Sequence, residues 1–177
     1  MVVPIMGPAE EQRQSAKGCS VQELNLYGQN AQGLGDTKLE ELVRHMRERE
    51  VYAYAVQETW REGDFQLESQ GFLFINHGYK ERRCTRGSGG VGFVLCPEAR
   101  KAWEAAGCKV LYFGECIAAI ILQLKDKDDR TLEIMLVAAY APFGVGPEKE
   151  KDREQFLAEL GECERRCGQK AVWMCSV

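Results

Sequence analysis

The chain has 177 residues, 45% of them hydrophobic, which is enough apolar material for one domain with a sizeable core. Its 23 Lys and Arg against 27 Asp and Glu give a formal net charge of −4, so it has no global pull on a polyanion, and any such contact is local. The opening MVVPIMGPAEEQRQSAKG is interrupted by Pro4 and Pro8 and lacks the apolar core of a secretion signal, and no run is long enough to cross a bilayer, so the expected setting is intracellular, nucleus or cytoplasm, with no membrane partner.

Residues 1–20 read as a disordered lead-in. From there on, short apolar runs alternate with amphipathic segments, an α/β pattern. A first strand is predicted over Val21–Gln29. A helix follows over Thr37–Arg49, where Leu39, Leu42, Val43 and Met46 recur at helical spacing and Thr37 with Glu40 reads as a capping box. The strand Val51–Gln57 leads straight into Glu58-Thr59-Trp60. Further strands are predicted at Phe72–His77, Gly89–Cys96, Cys108–Phe113, Cys116–Lys125 and Thr131–Ala141, with the polar run 126–130 as the hairpin turn joining the last two. Pro97 opens a short Ala-rich helix that Gly107 ends. Pro147 opens a longer helix whose buried stripe is Phe156, Leu160, Cys163 and Cys167. Lys170–Val177 begins another strand.

The eight cysteines include no Cys-x-x-Cys pair, and His45 and His77 are the only histidines, so the expectation is reduced thiols rather than a zinc site. In Cys116–Leu122 and Ile134–Tyr140, polar and apolar residues do not alternate. Strands of this kind are apolar on both faces and need cover on both. Either the helices divide between two faces, or the second face needs a layer that the chain does not encode. The second reading is favoured, and it implies an uncovered sheet face through which the chain self-associates.

Asn30 follows the first strand and Glu58 the second, so a carboxamide and a carboxylate are expected at one sheet edge. That pair of oxygen ligands suits Mg²⁺, which takes few protein ligands and keeps several waters. Asn30-Ala31-Gln32-Gly33-Leu34, then Gln57-Glu58-Thr59, then Gly89-Gly90-Val91-Gly92-Phe93-Val94-Leu95, then Ala139-Tyr140-Ala141-Pro142 resemble, in this order, motifs of the endonuclease/exonuclease/phosphatase superfamily. Within it, the resemblance is to the abasic-site and non-LTR-retrotransposon endonucleases.

The resemblance implies an α/β fold, part of a DNase-I-like four-layer sandwich with a mixed β-sheet and flanking helices, whose second half is missing. It makes residues 21–177 the N-terminal portion of that domain. Glu58 would be the metal ligand, with Asn30 helping to hold Mg²⁺ or Mn²⁺ or the attacking group. Tyr140 would touch the scissile phosphate, or else be a strand-end aromatic that packs. The implied activity is phosphodiester hydrolysis on nucleic acid, DNA favoured. Alternatives are a catalytically silent remnant or interaction module, and a small-phosphoester or inositol-lipid phosphatase. The loop 80–88, with Arg82, Arg83 and Arg86, is either a phosphate contact or a solvated hairpin. Trp60 either stacks on a base or sugar or covers the core beneath.

The sequence also departs from the family. Gln32 stands where many members carry Asp, Phe143 where many carry Asn, and Cys116 where Arg is common. Neither the family's Gly-Asp-x-Asn nor its Ser-Asp-His occurs in these 177 residues, and neither histidine matches the missing one.

Overall fold

In the computed structural model, which describes residues 24–78, 89–141, 146–167 and 171–176, the apolar runs form two sheets and the amphipathic segments form helices. The first sheet takes β1 (Leu26–Asn30), β2 (Ala53–Gln57), β3 (Phe65–Ser69), β4 (Phe72–His77) and β5 (Val91–Leu95), in the order β1-β2-β5-β4-β3. Only β1 and β2 are parallel there, because the helix α1 (Asp36–Glu48) forms the crossover between them. The second sheet takes β6 (Val110–Phe113), β7 (Ile117–Lys125), β8 (Thr131–Tyr140) and β9 (Ala171–Ser176), in that order. The helix α3 (Pro147–Cys167) makes the crossover from β8 to the parallel β9, and the short helix α2 (Pro97–Ala105) links the two sheets in sequence.

The strands apolar on both faces are explained by where alternate residues go. Along β7, Ala118, Ile120, Leu122 and Leu124 join one core with Ala53, Phe93 and their neighbours in the first sheet. Ile117 and Ala119 join a second core with Val137, Ala139, Cys163 and Cys167. The inner face of each sheet is thus covered by the other sheet, and α3 covers the outer face of the second.

On the first sheet, His77 reaches the second sheet, so Leu73 and Ile75 share its inward face. Phe72 and Phe74 point the other way, and the Arg47 guanidinium of α1 lies over Phe72. Helix, sheet, sheet and helix are therefore four layers. This corrects the expectation of an uncovered face: the strands form two sheets instead of one, and association through a bare inner face loses its physical basis.

Most predicted elements stand within a residue or two. The first strand begins at Leu26 among the described residues, and Val21 lies outside them. α1 begins at Asp36 with Gly35 as N-cap and no side-chain cap, so Thr37 sits inside the first turn and the Thr37–Glu40 box does not form. The strand β3 has no counterpart in the sequence reading. α2 is capped by the Cys96 thiol, which accepts from the Ala99 amide at 3.4 Å. Burial pushes that thiol up to about 12. Among the described residues no helix is long and apolar enough to cross a membrane. Residues 1–20 and the loop with Arg82, Arg83 and Arg86 lie outside the described residues.

Candidate active site

β1 and β2 run parallel with Asn30 beside Gln57, so Asn30 and Glu58 leave the first sheet at the same edge. The two loops that follow are joined by backbone hydrogen bonds. Ala31 N–H donates to Gln57 O at 2.8 Å, Gly33 N–H to Glu58 O at 2.8 Å, and Leu34 N–H to Thr59 O at 2.9 Å. On the other side, Thr59 and Trp60 N–H donate to the carbonyls of Gly90 and Gly89 at 3.2 and 3.0 Å. Glu58 is thus carried on a loop held from both flanks.

Several of these residues adopt the left-handed backbone that side chains disfavour: Gln32 at φ +46°, Glu58 at +51° and Trp60 at +55°. Each costs about 1–3 kcal/mol, and such positions cluster at ligand-binding and catalytic sites. Gly33, at φ +89°, has a second reason to be glycine. A Cβ there would lie 2.5 Å from a ring carbon of Trp60. The indole lies across Gly33 and remains 44% exposed.

The Asn30 carboxamide oxygen accepts from Gln32 N–H at 3.0 Å, an Asx turn that fixes its rotamer. Lys38 of α1 closes the same loop by donating to the carbonyls of Ala31 and Gln32, both at 3.1 Å. From the second sheet comes Tyr140, the last residue of β8. Its hydroxyl donates to the Glu58 carboxylate across 82 residues of sequence. Its amide donates to Cys116 O at 3.0 Å, so the position where the family resemblance has Arg acts here through its backbone. Asn30, Glu58 and Tyr140 therefore stand at the mouth between the two sheets.

The two histidines stand elsewhere. His45 lies in the last turn of α1. His77 is buried at the end of β4, its Nδ1 meeting Asp64 Oδ1 at 2.6 Å and its Nε2 donating to Gly114 O at 2.7 Å, with the ring stacked on Tyr112 at 4.2 Å between centroids. Both ring nitrogens are engaged, so neither is offered to a ligand. Thr59, in the sequence only a member of the Gln57-Glu58-Thr59 motif, meets Asn76, to which the sequence assigns no role. Thr59 Oγ1 donates to Asn76 Oδ1 at 2.8 Å, both residues being fully buried, and Asn76 Nδ2 donates to Gly63 O at 2.8 Å. One signal was available: Asn76 is a polar residue directly after the apolar run Phe72–Ile75, inside the same strand.

Several solved structures are similar to this one. The catalytic domain of APE2 from Xenopus laevis superposes with a TM-score of 0.56 at 12% identity, over 86% of this chain and 57% of that one. The AP endonuclease LMAP from Leishmania major gives 0.54 at 14% identity, over 85% of this chain and 53% of that one. The chain has the fold of the AP endonuclease catalytic domains. It is a DNase-I-like α/β fold, with two sheets and flanking helices. The chain spans a little more than half the length of each of these endonucleases. No protein-family model and no curated protein sequence matches it.

Proposed function

We propose that the edge formed by Asn30, Glu58 and Tyr140 is the metal-holding and phosphate-facing part of a phosphodiesterase site acting on nucleic acid, DNA favoured. The observation that carries this reading is the hydrogen bond from Tyr140 to Glu58, which joins the two sheets where Asn30 also ends. That the solved structures similar to it include an APE2 catalytic domain and an AP endonuclease supports the substrate class.

The donor chemistry fits Mg²⁺ or Mn²⁺. Glu58 offers a half-buried carboxylate, and the Asn30 carboxamide oxygen keeps one lone pair after its bond to Gln32. When bound, the ion supplies positive charge against the charge that builds on the phosphate oxygens. The protein's own groups orient and bind. Tyr140 holds the Glu58 carboxylate in one rotamer, and its hydroxyl can turn its proton to a phosphate oxygen. The Asx turn and Lys38 keep Asn30 from swinging away. The exposed indole of Trp60 supplies a face for a base or sugar, and Arg82, Arg83 and Arg86 supply cations for the backbone. With nucleic acid as substrate, the proposed setting is the nucleus or cytoplasm.

For residues 1–177 taken alone, which contain neither Gly-Asp-x-Asn nor Ser-Asp-His, a second reading is binding without cleavage, a silent module. A water-orienting base and an imidazole each contribute about 10²–10⁴-fold. Residues 1–177 are therefore expected to bind Mn²⁺, followed by the electron paramagnetic resonance of the free ion, with binding lost in Glu58→Gln and kept in the exposed control Glu40→Gln. The same chain is expected to cleave abasic DNA no faster than Glu58→Ala. Mn²⁺ binding indifferent to Glu58 would remove the metal site. Cleavage that vanishes in Glu58→Ala would reject the silent module.

A further inference from the structure

Glu58 has a φ of +51° between Gln57, at the end of a fully buried strand, and Thr59, also fully buried. A residue with an unfavourable backbone stays there only if its neighbours over-determine it. The backbone bonds to Gly33, Leu34, Gly89 and Gly90 supply part of that restraint, but they join loops to loops. Besides the bond from Tyr140, side-chain contacts tie the Glu58 loop to a strand of the first sheet. Asn76, 1% exposed on β4, accepts the Thr59 hydroxyl and donates to the Gly63 carbonyl, so a single buried carboxamide grips the loop on both sides of Trp60.

The packing leaves this grip no slack. A Cβ at Gly90 would lie 2.5 Å from Thr59 Oγ1, and one at Gly78 would lie 1.9 Å from the Arg61 carbonyl oxygen. A buried carboxamide in an apolar strand is costly unless its polar atoms are satisfied, and here both ends are spent on this loop.

We propose that Thr59 and Asn76 are a positioning pair for Glu58: the Thr59 hydroxyl, anchored on Asn76, holds the Glu58 carboxylate where it meets Tyr140 and a divalent ion. Neither residue touches the ligand. The pair rests on the metal-site reading of Glu58 for its role, and on the hydrogen bonds alone for its geometry. Groups that orient a metal ligand typically contribute 10–100-fold to metal affinity.

The test compares Thr59→Val, which keeps the shape and deletes the hydroxyl, with Thr59→Ser, which restores it. Leu42→Ala, in the buried face of α1, is the control for general destabilisation. Thr59→Val is expected to weaken Mn²⁺ binding about tenfold or more, with Thr59→Ser within about threefold of the parent. Leu42→Ala is expected to lower Tm without moving the Mn²⁺ affinity. Amide hydrogen exchange reads the geometry independently of metal. Gly33 and Leu34, which donate to Glu58 and Thr59, should lose protection about tenfold in Thr59→Val relative to core amides, and regain it in Thr59→Ser. Unchanged protection in Thr59→Val overturns the pair. So does unchanged Mn²⁺ affinity in Thr59→Val when Glu58→Gln abolishes binding. If protection falls but neither variant alters Mn²⁺ binding, the pair positions the loop and the metal reading of Glu58 is what fails.

Discussion

Gly33 shows how much a single residue carries at this edge. Its amide holds the Glu58 carbonyl, its φ of +89° suits glycine, and the space a Cβ would fill is taken by the Trp60 ring. Gly33→Ala therefore combines an unfavourable backbone, about 1–2 kcal/mol, with a clash that only a shift of the indole relieves. The expected outcome is a loss of more than 1 kcal/mol in urea unfolding together with a changed environment for Trp60, seen as a moved indole resonance. A variant as stable as the parent with Trp60 undisturbed would mean the loop is looser than drawn. Gly33 stood out in the sequence because it lies in a motif. Thr59 lies in a motif too, but its bond to Asn76, between residues 17 apart, leaves no local pattern. Asn30 and Glu58 were legible as strand-end oxygens, whereas the tie from Glu58 to Tyr140 depends on how two sheets stack, which neither strand encodes.

At the level of elements, the helices were legible because a single stripe faces the core, as Leu39, Leu42, Val43 and Met46 do on α1. β3 was missed for the opposite reason. It is an edge strand, mostly exposed, with Leu67 37% accessible, and it turns into β4 through Gln70 and Gly71, both at positive φ. That two-residue turn does the work usually signalled by Asn-Gly or Asp-Gly, and Gln-Gly does not announce it. β7 was legible as a strand but not in its allegiance. Its Ile120 belongs to the core between the sheets and is fully buried, while Leu157 on α3 is 62% exposed. Ile120→Ala is expected to cost about 2–5 kcal/mol through lost contacts and a residual cavity. Leu157→Ala should stay within about 0.5 kcal/mol of the parent. Equal small effects in denaturant titrations would mean that the sheets do not pack face to face.

Over the whole molecule, two of the side-chain bonds that join the sheets stand at the mouth of the sandwich. Tyr140 of the second sheet donates to Glu58 of the first, and His77 of the first donates to the Gly114 carbonyl in the turn between β6 and β7. Gly114 is itself at a φ of +67°, a backbone that favours glycine. Sheets move as units, so either bond alone fixes much of the separation that the other needs, and each lowers the ordering cost of its neighbour. Breaking one should therefore loosen the other. A double-mutant cycle tests this with Tyr140→Phe, which deletes the hydroxyl, and His77→Phe, which keeps an aromatic face against Tyr112 while deleting both polar contacts. Tyr140→Phe strips the half-buried Glu58 of its bond and is expected to cost about 1–3 kcal/mol. The partners of His77, Asp64 and Gly114, are exposed, and His77→Phe is expected to cost about 0.5–1.5 kcal/mol. Their coupling, measured by urea unfolding, should be about 0.5 kcal/mol or more, with the double variant less destabilised than the sum. Additivity within about 0.3 kcal/mol would mean that the two bonds report on separate regions and that the mouth is not one mechanical unit. Coupling of the expected sign would make His77, which touches neither metal nor phosphate, a determinant of where Glu58 and Tyr140 stand relative to each other.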